Sequence, residues 1–349
     1  MKKLIITIFI FLNISSCVFA QFEKADLLGS WTNTHTEMKD GSKLIPVYPD
    51  YIAHFEIIFF NQEYEIDYYP AQKKENSRIP YKLKNNKVDV NNNFEYQIEK
   101  LTNDSLIIVE QMPWLADDQL KRFYLVRKEK IQAIEKSKQQ GNHLIANPYL
   151  TPIFDGNIDF YLNKGLNKKQ TNLKLIGKLV ILPNEKRLAV EINYRDNKDL
   201  FQEQIITKLL EKSFKKWNLK GFEDYSNITI DFVIIMEKTK TYRGLKIGLN
   251  TNSFTQLLGM YGLTYKQQFD GNKLFNLGLE SFQAGNYENA INYFTKSFEL
   301  NHTKVEALYN RAATYLLLEK YDEACLDWKK LKDLGQKEGE KLFNENCNN

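Results

Sequence analysis

Residues 271–304 read GNKLFNLGLESFQAGNYENAINYFTKSFELNHTK, and residues 305–338 read VEALYNRAATYLLLEKYDEACLDWKKLKDLGQKE. Laid over one another at a period of 34, the two stretches keep the same alternation of small and large residues. Leu274, Leu277, Gly278, Gly285, Tyr287, Ala290, Phe294 and Ser297 mark the first, and Leu308, Ala312, Tyr315, Tyr321, Ala324, Trp328 and Leu331 mark the second. Self-similarity at such a period marks units that cannot bury their apolar face alone and must stack. The small residues Gly278, Ala290, Ala312 and Ala324 let two helices of a unit approach, and Tyr287, Phe294, Tyr321 and Trp328 are expected to fill the space between units. Gly285-Asn286 turns the chain between the helices of the first unit, and Glu319-Lys320 does so in the second. Residues 339–349 supply a short capping helix for the last open face.

The period, the helix pairs and the small positions resemble the tetratricopeptide repeat, across residues 271–349. The resemblance implies a protein-binding array whose concave face carries Phe275, Asn276, Leu279 and Phe282 from the first repeat, with Tyr309, Asn310, Ala313 and Leu316 from the second. Asn276 and Asn310 recur at one position, where such arrays grip an extended backbone. The competing reading is that two repeats are too few for a groove and that these side chains pack against residues 237–270, a connector rich in Gly, Thr and Tyr.

Upstream, residues 153–236 carry a mixed pattern. Residues 173–182 form an apolar strand, Pro183 to Lys186 a turn, and residues 188–194 its hairpin partner. Asp199, with Gln202 three residues on, caps a helix with Phe201, Ile205, Leu209 and Leu210 along one stripe. It runs to Trp217, and residues 228–235 form a last strand. A three-stranded sheet with one covering helix follows. This order, with residues 156–161 as a short preceding helix, resembles the C-terminal domain of the TonB energy transducers. It departs from that family at Leu219, where Pro is common, and in having only 8 Pro overall. The resemblance implies that the last strand, through Ile228, Ile230, Phe232 and Ile234, is an edge that captures a peptide by strand addition. Residues 237–250 are the alternative occupant of that edge. Residues 129–152, polar and broken by Pro148 and Pro152, read as a linker.

Residues 26–128 read as antiparallel β structure. Segments 54–60, 63–69, 94–100, 105–110 and 122–126 are short, aromatic and β-branched, with turn residues such as Asp40-Gly41, Asn85-Asn86 and Asn103-Asp104 between them. Short strands joined by tight turns suggest a meander that closes on itself. Gly29-Ser-Trp31 resembles the opening of lipocalin-like small barrels, in which the Trp plugs one end. The resemblance implies a carrier of a small apolar ligand, or a filled barrel serving as a spacer. The whole is a multidomain α+β chain: barrel, sheet with helix, helical repeats.

The first residues set the compartment. Lys2-Lys3, an apolar run to Leu12 and Val18-Phe-Ala20 read as a signal peptide cleaved before Gln21. Ile14-Ser-Ser-Cys17 offers lipidation of Cys17 as the competing route. Removing residues 1–20 takes Lys2 and Lys3 from 48 basic residues, leaving 46 against 44 acidic ones, a balance that argues against nucleic acid. An envelope protein, such as an outer-membrane protein, is the expected partner. Cys325 and Cys347 then remain in an oxidising compartment. In a tetratricopeptide stack the cap crosses the second helix of the last repeat, so the two are expected to pair, with two buried thiols as the alternative.

The residues offer little chemistry. His35, His54, His143 and His302 lie in no metal-ligand spacing, no nucleotide or nucleophile motif occurs, and no acid pair is placed by a motif. No metal, no cofactor and no catalytic residues are expected. His54 opens a strand and reads as a barrel-rim residue. Lys164, Lys168, Lys169, Lys174, Lys178, Lys186 and Arg187, against Glu185 alone, read as a basic face or as lysines defending a sheet edge.

Overall fold

A computed structural model describes residues 22–48, 51–166, 171–196, 200–239 and 243–347. The leader, Cys17, Asp199, Lys168 and Lys169 lie outside the described residues.

The chain opens with a single helical turn α1 (Lys24–Leu27) and strand β1 (Gly29–Met38). There follow β2 (Glu56–Phe59), β3 (Glu63–Asp67), β4 (Ile79–Pro80), β5 (Lys82–Lys84), β6 (Lys87–Asn91), β7 (Phe94–Leu101), β8 (Ser105–Gln111) and β9 (Lys121–Arg127). These nine strands form one antiparallel sheet in the order β4-β3-β2-β1-β9-β8-β7-β6-β5. Its two end strands are separated in sequence by Tyr81 alone, so the sheet is a nearly closed barrel. Asn85 and Asn86 take positive φ at the two-residue β5–β6 turn, the conformation that matches the twist of paired strands. Phe55, Phe59, Tyr64, Tyr81, Tyr96 and Phe123 pack ring against ring inside, and their bodies occupy the interior. Trp31 is fully buried, with its indole N–H donating to Leu27 O at 2.8 Å and the Arg127 guanidinium 3.8 Å from its ring. Arg127 also donates to the Leu28 and Asp26 carbonyls, which ties α1 across the barrel end.

Residues 129–152 are more than a linker: they contribute most of helix α2 (Lys128–Ser137) and strand β10 (His143–Ile145). Then come β11 (Ile153–Phe154), α3 (Ile158–Gly165), β12 (Leu173–Leu182), β13 (Arg187–Arg195), α4 (Leu200–Glu211), β14 (Trp217–Asn218), β15 (Asn227–Lys238), β16 (Arg243–Leu249) and α5 (Phe254–Tyr261). The hairpin, helix and final strand stand in the expected order, and Asn157 caps α3 by accepting from the Phe160 N–H. The sheet has five strands, not three. β15 lies inside it, paired antiparallel with β12 along one side, and with β16 antiparallel and β10 parallel along the other.

The expected peptide-capturing edge at Ile228, Ile230, Phe232 and Ile234 is therefore filled by the chain itself. The reason is burial on both faces. Ile230, Phe232, Ile234 and Met236 enter the core shared with α3 and α4, while Val233 and Ile235 meet Leu257 of α5. A strand covered on both faces reads as a continuous apolar run, and Phe232 to Met236 is one. The outer edge of β16 is also closed. Asn163 of α3 exchanges two hydrogen bonds with Leu245, each 2.9 Å, and Asp159 accepts from the Ile247 N–H at 2.8 Å.

Five helices complete the described chain: α6 (Tyr265–Gln283), α7 (Tyr287–Leu300), α8 (Glu306–Leu317), α9 (Tyr321–Asp333) and α10 (Lys337–Asn346). Residues 237–270 thus supply a strand, a helix and the first turn of α6 rather than an irregular connector. None of the described helices is long and apolar enough to cross a membrane.

Candidate functional site

The repeat helices form as the 34-residue period requires. A Cβ on Gly278 would stand 2.5 Å from the Phe294 ring, so only glycine lets α6 and α7 pack this closely. Ala290, Phe294 and Ala307 make one small core, and Leu308, Ala312, Ala324, Trp328 and Leu331 the next. One feature is invisible to the pattern. Arg311 stands where the first repeat has Leu277, and its guanidinium grips the buried Asp327 through two nitrogens, with a third contact to Thr295 Oγ1 at 2.7 Å. This pair ties α8 to α9 and α7. Cys325 and Cys347 are joined by a disulfide, their Cα atoms 5.7 Å apart, which fastens the end of α10 to α9.

The eight residues expected on the concave face divide. Phe275, Leu279 and Phe282 are half-buried against the first small core, Phe275 with its ring 5.7 Å from that of Phe294. Tyr309 packs into the second core, its hydroxyl accepting from the Gly339 N–H at 3.0 Å. The Asn310 amide turns back to Glu306 O in its own helix. Asn276, Ala313 and Leu316 remain exposed. The surface on offer is therefore narrower and more polar than the expected groove, because the aromatics of α6 fill the gap toward α7 and α8. It continues onto residues outside that expectation. Leu317 is exposed, and Tyr321, expected between units, is 61% exposed. The cause is the short cap: α10 ends at Asn346, and the next residue reaches only Cys325, a turn inside α9.

The opposite rim of the array is occupied by the barrel. Lys43 donates its N–H to Gly335 O and accepts from the Gln336 side chain, both at 3.0 Å. Ser42, buried, accepts from the Lys337 N–H at 2.9 Å and so caps α10 from another module, while Asp40 accepts from both the Ser42 N–H and its hydroxyl. His302 meets Pro46 O at 3.1 Å. Burial pushes the Tyr309 phenol up to about 12, with Asp118, Glu338 and Asp40 adding to the effect. Burial likewise raises Asp118, with Asp40 and Glu306 nearby. The second repeat thus offers its Leu316–Tyr321 end to solvent and its Glu306 end to the barrel.

Polar clusters elsewhere escape motif reading because the fold, not the spacing, assembles them. Glu56 faces Asp67 across β2 and β3, and burial raises both carboxyls, an effect that Lys128, 2.9 Å from Glu56 Oε2, partly offsets. His54 is not an open rim residue: burial lowers its pKa, and its ring stands edge-on to Tyr149 at 5.3 Å.

Residues 274–303 match the family model of the tetratricopeptide repeat. No curated protein matches the chain. A match over one repeat, continued by the second helix pair and cap, indicates a surface for protein–protein interaction, and leaves the TonB-type and lipocalin-like likenesses as resemblances.

Proposed function

We propose that this chain is an exported, non-catalytic adaptor of a Gram-negative cell envelope that binds a protein partner through its repeat helices. The observation that carries the reading is the repeat match over 274–303, combined with the exposure of Asn276, Ala313, Leu316, Leu317 and Tyr321 on the repeat helices. Exposed small, apolar, aromatic and amide side chains of this kind suit an extended segment of a partner, such as an outer-membrane protein. The other reading, a carrier of an apolar ligand inside the barrel, would need the space that Phe59, Tyr64, Tyr81, Tyr96 and Phe123 occupy.

Photo-crosslinking residues placed at Ala313 and Leu316 of the full-length chain, expressed with its leader, should trap one shared partner species. Lys100, exposed on the barrel, serves as the control site. Crosslinks no more frequent at 313 and 316 than at 100 would remove the adaptor reading. Intact mass of the same preparation should begin at Gln21, and a lipid-modified Cys17 would reverse the processing route.

A further inference from the structure

A groove follows the seam between the outer wall of the barrel and the α/β module, and its described lining holds no residue of the repeat helices. It consists of two spaces, of about 550 and 350 Å³, which share Lys128, Ile153 and Asn218 and so run into one another. Main chain stitches the walls together. Lys73 N–H donates to Phe154 O at 2.8 Å, Phe154 pairs with Trp217 across β11 and β14, and Asp155 N–H donates to Lys216 O at 2.6 Å. In the smaller space Lys128, Gln132 and Lys136 stand four residues apart in α2 and share one face of that helix. Asn218, Lys220 and Gly221 line it with them.

The groove is unbalanced in charge. Lys73, Lys74, Lys128, Lys136, Lys215, Lys216 and Lys220 line it, against Glu56, Glu65, Asp67 and Asp155. The whole chain has 48 basic and 44 acidic residues, so most of its surplus is gathered here. Each carboxylate of the lining already has a partner. Lys128 stands 2.9 Å from Glu56, Arg78 3.6 Å from Glu65 and Lys73 3.9 Å from Asp155, while Asp67 accepts from the Tyr69 N–H at 2.8 Å. Glu223, beside the smaller space, accepts from the Gly221 N–H at 2.6 Å. Lys74, Lys136, Lys215, Lys216 and Lys220 form no ion pair among the described residues. Lys74, Lys136 and Lys216 instead stand over the rings of Tyr69, Tyr225 and Phe154, at 3.5, 6.0 and 5.8 Å, which steadies an ammonium without neutralising it. Lys136, Lys215, Lys216 and Lys220 are exposed, within reach of an incoming anion.

We propose that this groove binds an extended acidic segment of a protein partner, its Asp or Glu side chains on Lys136 and Lys220 at one end and on Lys215 and Lys216 at the other. A recess lined by one sign of unpaired charge concentrates ligands of the opposite sign. Its two connected spaces ask for an elongated occupant. Lys128 and Lys136 are roughly 12 Å apart along α2, the reach of about four residues of extended chain. Gln132 and Asn218 add amide groups that pair with a peptide main chain. Trp217 is buried and Phe222 packs against the core, so the groove presents no aromatic face on which the bases of a nucleic acid strand could stack. This contact is separate from the exposed residues of the repeat helices.

The probe is a fluorescein-labelled eight-residue peptide alternating Glu and Ser, read by fluorescence anisotropy on the full-length protein. Peptides with Gln or Lys in place of Glu are the comparisons. The acidic peptide should bind at low salt and lose affinity as salt rises, and neither comparison should bind. Lys136 and Lys220 are exposed, so substituting them spares the fold, which circular dichroism checks. Lys136→Gln and Lys220→Gln should each weaken binding about threefold, as loss of an exposed ion pair does. Lys136→Glu combined with Lys220→Glu should weaken it at least ~10-fold, while Lys100→Glu, on the barrel outside the groove, should leave it unchanged. The proposal is overturned by absence of binding at low salt, by undiminished binding in the double variant, or by an equal loss in Lys100→Glu. Tighter binding of polyphosphate or of a sulfated oligosaccharide than of the peptide also overturns it, and assigns the groove to that anion. These variants leave the repeat helices untouched, so the result is independent of crosslinking at 313 and 316.

Discussion

His54 is the residue whose surroundings speak most directly to solution behaviour. Burial holds its imidazole below the ordinary value of 6.5. The unfolded chain therefore takes up a proton near pH 6.5 that the folded chain refuses, and stability falls as pH drops below that value toward the folded pKa. Above pH 6.5 the contribution is fully present. Glu56 and Asp67, raised by burial, act with the opposite sign, so the comparison must be made against a variant. The melting temperature of the wild-type protein should fall more steeply between pH 7 and pH 5 than that of His54→Gln. Parallel curves would mean that His54 titrates as it does in water. At the same scale the sequence was least informative about the candidate site. Asn276, Ala313 and Leu316 were legible as exposed because helical spacing places them. Tyr309 and Asn310 were not: Tyr309 is taken by Gly339, a partner set by the stacking of helices, and Asn310 turns back to Glu306 within its own helix, a choice the period does not fix.

At the scale of elements, β16 is the strand that decides what the central sheet can do. Its inner edge completes β15, and its outer edge is satisfied by Asn163 and Asp159 from α3 rather than by another strand. Asp159 is itself steadied by the Tyr261 hydroxyl at 2.7 Å. Asn163→Ala leaves a part-buried N–H and carbonyl on Leu245 unpaired, and should lower unfolding free energy by about 2 kcal/mol in urea titration. An unchanged midpoint would show that water reaches that edge freely. The hairpin, α4 and β15 were legible because alternation and helical stripes are local signals. β16 was legible only as the alternative occupant of the β15 edge, within residues 237–250, because Arg243 to Leu249 is short and carries two glycines, so no strand pattern of its own announces it. The weak barrel strands β4, β5 and β6, built of Lys, Asn and a few apolar residues, were missed for the same reason: closure assigns them, not composition.

At the scale of the molecule, the barrel is made first and the repeats last, yet the two meet through Ser42, Lys43 and Pro46 on one side and Gly335, Gln336, Lys337 and His302 on the other. α10 is consequently held at both ends by unrelated means. Ser42 caps its N-terminus, an interaction worth about 1 kcal/mol. The disulfide closes a 22-residue separation at its C-terminus, worth about 3 kcal/mol in the chain-entropy account. A helix of ten residues is about 15 Å long, so the two fastenings share no partner and their effects should add. Amide exchange reads this as a frequency of opening. Ser42→Ala should speed exchange in α10 about fivefold, Cys347→Ser about 150-fold, and the double variant by close to the product, since each 1.4 kcal/mol is a factor of ten. A double variant no faster than Cys347→Ser alone would mean that the barrel does not hold the helix. With both fastenings intact, the terminal helix spends its time shut over Trp328 and Leu331. If a reductant opens the disulfide, the barrel loop is the fastening left to keep the lid closed until the two thiols are rejoined.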